Sequence, residues 1–192
     1  KNNLQGKLPR DLSLLKYLTS LNLSRNQISG GIPVAFGSFE NLEDLSLRNN
    51  LLTGSFPLEL SSLATLRSLD LSFNAITGSL PSFSLSEKLS TVLLGNNDLY
   101  GELSFGGLRN LEEVVLENNE FSGPLPDLSD SSGILKVFRL GGNSFTGKIP
   151  AWIGTLANIK VLNLEGNLLH GNVPLSIWNT SSLREVILAG NS

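Results

Sequence analysis

The chain has 192 residues, of which 14 are basic and 17 acidic, and a formal net charge of −3. It contains no cysteine, which excludes disulfides and thiolate metal sites within these residues. No run of lysine and arginine is present to attract a nucleic acid, and no apolar run approaches the ~18–20 residues of a membrane span. We therefore expect neither a nucleic-acid partner nor membrane contact by this segment.

An asparagine recurs at nearly constant spacing from one end of the chain to the other. Its copies are Asn2, Asn26, Asn50, Asn74, Asn97, Asn119, Asn143, Asn167 and Asn191. The intervals between them are 24, 24, 24, 23, 22, 24, 24 and 24 residues. This self-similarity predicts a single array, residues 1–192, of about eight stacked repeats of 22–24 residues. Because the chain begins and ends at this asparagine without a capping segment, we expect an internal excerpt of a longer array.

Upstream of each asparagine lies the pattern Leu-x-x-Leu-x-Leu-x-x-Asn, in which Val, Ile or Phe sometimes replaces a leucine. Leu18, Leu21 and Leu23 thus precede Asn26. The Leu-x-Leu alternation has the two-residue period that is typical of a short strand with one buried face. One such strand per repeat predicts a parallel sheet whose leucines form a continuous core.

The asparagine is expected where the chain turns off this strand. A buried amide at that point both donates to and accepts from backbone groups of the turn, whereas an aspartate would bury a charge. Stacking of the repeats would then align the amides in a ladder. The predicted members of the ladder are Asn26, Asn50, Asn74, Asn97, Asn119, Asn143 and Asn167.

Downstream of the asparagine comes Leu-x-Gly-x-Ile-Pro, which reads Phe-Thr-Gly-Lys-Ile-Pro at residues 145–150. The glycine permits a positive φ or a close backbone approach, and the proline suits an edge or a turn. The remaining residues, with apolar side chains three apart, predict short 3₁₀ or irregular turns on the outer face. The repeat that ends at Asn119 is shorter and has lost the proline, so we expect a tighter outer loop there.

These motifs resemble the plant-type leucine-rich repeat, whose hallmark is the Leu-x-Gly-x-Ile-Pro step after the asparagine. The resemblance covers nearly the whole chain. It implies an α/β solenoid: a right-handed, curved superhelix with a parallel concave β-sheet and a 3₁₀ or irregular convex side.

The resemblance also implies a function. Most proteins with this repeat are ectodomains of plant receptor-like kinases or receptor-like proteins, on the extracellular side of the plasma membrane. The implied partners are a peptide or small-molecule signal, bound on the concave face, and a co-receptor protein. Two alternatives stay open: an inhibitor of pathogen cell-wall hydrolases, similar to polygalacturonase inhibitors and secreted to the apoplast, or a non-signalling interaction scaffold.

Residues between the leucines of each strand point away from the core, and stacking places equivalent residues in columns about 4.8 Å apart. These columns are polar in the first three repeats, but from the fourth onward they hold apolar side chains with charged neighbours. Such a pattern is typical of interaction surfaces, although Val and Ile also favour strands for their own sake. The predicted ligand-binding residues are Phe73, Leu93, Glu113, Val115, Glu117, Val137, Arg139, Val161, Glu165 and Ile187. We expect Gly141, Gly142 and Gly166 to leave room for the ligand to approach the backbone.

No constellation of residues predicts catalysis or metal binding, and no cofactor is expected. His170, the only histidine, takes a variable position and is expected to be an exposed loop residue. Asp127 and Asp130 lie in a serine-rich outer loop, where we expect solvated carboxylates. Two Asn-x-Ser/Thr sequons are candidate glycosylation sites: Asn179 in an outer loop and Asn22 on the strand face.

Overall fold

The computed structural model describes residues 3–83 and 85–192. Over these residues the chain coils into a right-handed, curved solenoid, in which the repeats contribute strands to two parallel, eight-stranded sheets. The strands of each sheet follow one another in chain order, so each pairs with its counterparts in the neighbouring repeats. The predicted fold class is confirmed.

The first sheet lines the concave side and is built from the Leu-x-Leu segments. Its strands are Ser20–Asn22, Asp44–Ser46, Ser68–Asp70, Thr91–Leu93, Glu113–Val115, Val137–Arg139, Val161–Asn163 and Glu185–Ile187. The register pairs equivalent positions throughout: Glu113, for example, lies opposite both Thr91 and Val137. Side chains at one position of the repeat therefore form a continuous column across this sheet.

A second parallel sheet, absent from the sequence-based prediction, is formed by the residues that follow each asparagine. Its strands are Gln5–Lys7, Gln27–Gly30, Leu51–Ser55, Ala75–Gly78, Asp98–Gly101, Glu120–Gly123, Ser144–Lys148 and Leu168–His170. Except in Gln5–Lys7, which is exposed throughout, each segment has one apolar residue that is buried, as at Ile28, Leu52 and Leu99. The Leu-x-Gly step is thus extended rather than irregular. It escapes notice in the sequence because one buried residue per strand produces no alternation.

Short 3₁₀ helices cover much of the convex side, as predicted. Those in the described residues are Arg10–Leu14, Val34–Ser38, Leu58–Ser62, Ser129–Ser131, Ala151–Thr155 and Leu175–Asn179. Most begin directly after a proline, whose φ lies between −59° and −78° and suits a helix start. The structure describes residues 101–113 in full and has no 3₁₀ helix there, in the repeat that is short of residues and lacks the proline.

The core lies between the two sheets and the helices and runs without interruption along the array. The strand leucines are its main component: Leu45 and Leu47 are 1% and 0% exposed. Phenylalanines add an aromatic row behind them, with the rings of Phe121 and Phe145 stacked at a centroid distance of 6.4 Å. Since each repeat buries its apolar face against its neighbours, no repeat is stable alone.

Each recurring asparagine from Asn26 to Asn191, here called an anchor asparagine, joins two repeats through backbone groups. The Asn143 side-chain amide donates to the carbonyl of Leu140 in its own repeat and to that of Leu116 in the preceding one, both at 3.0 Å. Its Oδ1 accepts a hydrogen bond from the Phe121 N–H at 3.0 Å. Equivalent sets of three bonds occur at Asn50, Asn74, Asn97, Asn119, Asn167 and Asn191. The amides therefore stabilise the turn between the concave strand and the following strand of the second sheet, here called the corner of the repeat.

From Asn26 to Asn191, the residue immediately before each anchor asparagine adopts a left-handed conformation, with φ between 54° at Asn49 and 68° at Gly190. This conformation turns the chain from the concave strand toward the second sheet. The positions are Arg25, Asn49, Phe73, Asn96, Asn118, Gly142, Gly166 and Gly190. Most hold asparagine or glycine, the residue types that adopt this conformation at the least cost.

We expect the substitution Asn143→Asp to lower the free energy of unfolding by about 3 kcal/mol, because it removes two hydrogen-bond donors and buries a carboxylate facing carbonyl oxygens. Urea denaturation followed by circular dichroism measures the change. Asn172→Asp, at an exposed position, makes the same chemical change as a control. Equal stability of the two variants would contradict a structural role for the Asn143 amide.

Candidate ligand-binding face

The apolar residues predicted to point outward from the concave strands do so. Val92 and Leu94 are fully buried, whereas Leu93 between them is partly exposed. Val115 is likewise partly exposed between the buried Val114 and Leu116. The side-chain alternation of a strand thus separates a core face from a concave face on which apolar groups meet solvent.

Six of the ten predicted ligand-binding residues line one shallow depression of about 330 Å³ on the concave face. These six are Phe73, Leu93, Glu113, Val115, Glu117 and Arg139. Arg48, Ser72, Gly95 and Asn96 complete the lining. The depression therefore combines apolar and aromatic surface with side chains of both charges, and its volume lies within the range of small-ligand sites.

The other four predicted residues lie farther along the same face and do not line this depression. Val161 and Ile187 belong to the last two concave strands, and both are partly exposed. Val137 pairs with Glu113 across the sheet, and Glu165 is exposed after the strand that contains Val161. The structure thus divides the predicted surface into a depression and a flatter continuation.

Arg139 is the centre of a polar network that spans four repeats. Its Nη1 lies 3.7 Å from Glu117 Oε1, and its Nη2 lies 3.4 Å from Glu185 Oε2. Asn163 donates to the same Glu117 oxygen at 2.8 Å and accepts a hydrogen bond from the Glu165 N–H at 2.9 Å. These contacts hold the charged side chains at one side of the depression in defined positions.

The expectation that glycines leave room for a ligand is wrong at two of its three positions. A side-chain carbon at Gly141 would lie 3.0 Å from the Glu165 side chain, and one at Gly142 would lie 2.5 Å from Asn118 Oδ1. These glycines therefore accommodate the protein's own side chains. At Gly166 the nearest atoms are those of the Gly142 backbone, at 3.6 Å, which is an ordinary van der Waals distance.

Arg48 also lines the depression, although it was not among the predicted site residues. Its guanidinium carbon lies 4.6 Å above the centre of the Phe73 ring, and its Nη1 donates to Ser72 Oγ at 3.0 Å. Ser72 in turn donates to Asp70 Oδ1. The signal in the sequence was that Arg48 and Ser72 occupy one outward column in consecutive repeats, directly beside Phe73.

Comparison with known proteins shows the relationships of this fold. A leucine-rich repeat family model matches residues 16–76, and a second one matches residues 135–156. No curated protein sequence matches the chain significantly. A TDR receptor is 34% identical with a TM-score of 0.96, and the match covers 100% of this chain and 34% of that one.

Two further structures are plant receptor kinases. The Arabidopsis receptor kinase HAESA, in complex with the peptide hormone IDA and the co-receptor SERK1, is 32% identical with a TM-score of 0.92; the match covers 99% of this chain and 32% of that one. The ectodomain of GASSHO1/SCHENGEN3 from Arabidopsis thaliana, in complex with CASPARIAN STRIP INTEGRITY FACTOR 2, is 37% identical with a TM-score of 0.87. That match covers 100% of this chain and 26% of the ectodomain.

This chain is a plant-type leucine-rich repeat array. It spans between 26% and 34% of the length of these three structures. The plant-type leucine-rich repeat fold is non-catalytic and presents a surface for binding. Among the residues that the structure describes, no helix is long and apolar enough to cross a membrane.

The remaining polar residues of interest lie away from the depression of this leucine-rich repeat array. His170 is exposed, but it ends a strand of the second sheet rather than lying in a loop. Asp127 accepts a hydrogen bond from Ser129 N–H and Asp130 one from Gly107 N–H, so both carboxylates brace the outer loops. No described group of three or more His, Cys, Asp or Glu side chains could hold a metal ion.

The two sequon asparagines of the array are both exposed. Asn179 ends the 3₁₀ helix Leu175–Asn179 on the convex side. Asn22 lies on the concave sheet, and its Oδ1 accepts hydrogen bonds from the N–H and the hydroxyl of Ser24. Glycosylation of either residue stays a prediction.

We expect Arg139→Met to lower the free energy of unfolding by about 1 kcal/mol, because Glu117 and Glu185 would lose their shared cation. The loss should shrink in 1 M NaCl, which screens the interaction between these partly exposed groups. Urea denaturation at low and high salt measures both effects. Arg184→Met, at an exposed position outside this network, is the control. An equal or salt-independent loss in the two variants would count against the network.

Proposed function

We propose that this array is the ligand-recognition part of the extracellular portion of a plant receptor-like kinase or receptor-like protein, and that it binds a peptide or small signal on its concave face. The observation that carries the proposal is the depression of about 330 Å³ lined by Phe73, Leu93, Val115 and charged side chains. Partly exposed apolar residues between fixed polar groups offer a ligand both desolvation and orientation.

The depression suits an extended peptide that lies across the concave strands. Leu93 and Val115 pair in register on adjacent strands, so they form one apolar surface against which a ligand side chain can pack. Glu113 and Arg139 stand at the border of that surface and can bond the polar groups of the ligand main chain. Because the network around Arg139 is already formed, little ordering of these side chains is needed on binding.

The comparisons support this assignment. HAESA, similar over nearly the whole of this chain, is solved with a peptide hormone and a co-receptor. We infer by analogy that the parent protein places this array on the outer side of the plasma membrane, and that a co-receptor protein joins once the ligand is bound. The flatter continuation of the face, which includes Val161 and Ile187, is then available for the rest of the ligand.

The proposal can be tested by selecting random twelve-residue peptides, displayed on phage, against the chain. We expect enriched peptides whose affinity falls about tenfold or more in the Val115→Arg variant, because the new side chain fills the depression and places a charge on its apolar floor. Fluorescence anisotropy with the labelled peptide measures the affinity.

The matched control is Leu168→Arg, which makes a similar change at an exposed residue of the second sheet. Thermal unfolding followed by circular dichroism establishes that both variants are folded. Failure to enrich any peptide, or equal binding by the folded Val115→Arg variant, would contradict the proposal.

A further inference from the structure

Two residues break a rule that the rest of the array obeys. Of the eight positions with a left-handed conformation before an anchor asparagine, six hold asparagine or glycine, and the exceptions are Arg25 and Phe73, each with φ of 59°. A left-handed conformation is unfavourable for both side chains. Strain of this kind persists where the surrounding structure maintains it, and it concentrates at functional sites.

Arg25 and Phe73 both line a second depression, here called the edge depression. It adjoins the depression described above, and Arg48 and Phe73 line both. It has a volume of about 440 Å³ and lies at the edge of the concave sheet, over the first three repeats. Its lining consists of Asn3, Arg25, Asn26, Gln27, Arg48, Asn49 and Phe73. The two unfavourable residues are therefore not scattered along the array but converge on one place.

The charged side chains that line the edge depression are all positive. Among the described residues, its lining holds two guanidinium groups and several side-chain amides but no carboxylate. Within residues 3–83 and 85–192, neither Arg25 nor Arg48 forms an ion pair, in contrast to Arg67 and Arg139. Arg48 is held in place by the Phe73 ring and by Ser72, so its position is defined before any ligand arrives.

We propose that the edge depression binds an anionic group of a ligand, with Arg25 and Arg48 as its hydrogen-bonding cations and Phe73 as the platform that positions Arg48. Guanidinium groups match carboxylate, sulfate and phosphate geometry through paired hydrogen bonds. The whole chain carries a net charge of −3 and does not attract anions in general, so an acidic ligand needs such a local site. An acidic peptide segment is the ligand class that fits a face already suited to peptides.

This inference rests on the proposed function only in taking the ligand to be a peptide, because binding of an acidic segment at the edge does not need Leu93 or Val115, which line the first depression and not the second. A fluorescein-labelled tetra-aspartate peptide is therefore the probe, with labelled tetra-asparagine as the uncharged match. We expect tetra-aspartate to bind more tightly and to be displaced by sodium sulfate more effectively than by sodium chloride at equal ionic strength.

The variants Arg25→Asn and Arg48→Gln should each bind tetra-aspartate about tenfold more weakly, the loss expected for one charge-assisted hydrogen-bonding partner. Arg184→Asn removes an exposed arginine outside the edge depression and should bind as the unmodified chain does. Val115→Arg should also retain tetra-aspartate binding, which keeps this test separate from that of the apolar depression.

Arg25→Asn should raise the midpoint of thermal unfolding by about 2–4 °C, because asparagine adopts the left-handed conformation more readily than arginine does. If Arg25→Asn is more stable and yet binds tetra-aspartate more weakly, misfolding is excluded as the cause of the weaker binding. The inference is overturned by equal affinity for the two peptides, by sulfate competing no better than chloride, or by Arg25→Asn and Arg48→Gln behaving like Arg184→Asn.

Discussion

The fold depends on buried and partly buried asparagine amides that each bond backbone groups of two successive repeats. The Asn143 amide group holds the carbonyls of Leu140 and Leu116 and the N–H of Phe121, and the same arrangement recurs along the array. No other neutral side chain of this size both donates two hydrogen bonds and accepts one at a corner closed to water. By linking each repeat to the one before it, the amides fix the rotation and rise with which leucines stack into one core.

The concave surface follows from that constraint. Because every concave strand pairs in the same register, the side chain at one position of a repeat lies beside the side chains at the same position of the neighbouring repeats. Leu93 and Val115 thus form one apolar floor, and Phe73, from the turn after an adjacent strand, lines the same depression. Arg139 reaches Glu117 on one side and Glu185 on the other, so the face is stiff and its polar groups are oriented before a ligand binds.

The corner of each repeat also fixes the position of the left-handed residue before the asparagine. The left-handed residue before each asparagine is held in place by the turn between sheets, so its side chain stands at the edge of the concave face. Glycine or asparagine satisfies the backbone there without contributing a binding group. Arg25 and Phe73 accept the conformational cost and add charge and aromatic surface at this edge. Stability and recognition therefore compete at the same backbone position.

The repeat, the concave strands, the buried leucines and the outward columns could all be predicted from the sequence, because they rest on periodic, local patterns that every repeat restates. Only the tertiary structure revealed the second sheet, since a strand with a single buried residue has no periodicity of its own. It also showed that Gly141 makes room for Glu165 rather than for a ligand. The convergence of Arg48 with Phe73, and of Arg139 with Glu185, was likewise decided by the stacking. The physical reason is that these contacts join residues one or two repeats apart. The distances between the contacting atoms depend on the curvature of the solenoid and on the conformations of the long side chains that cross its surface.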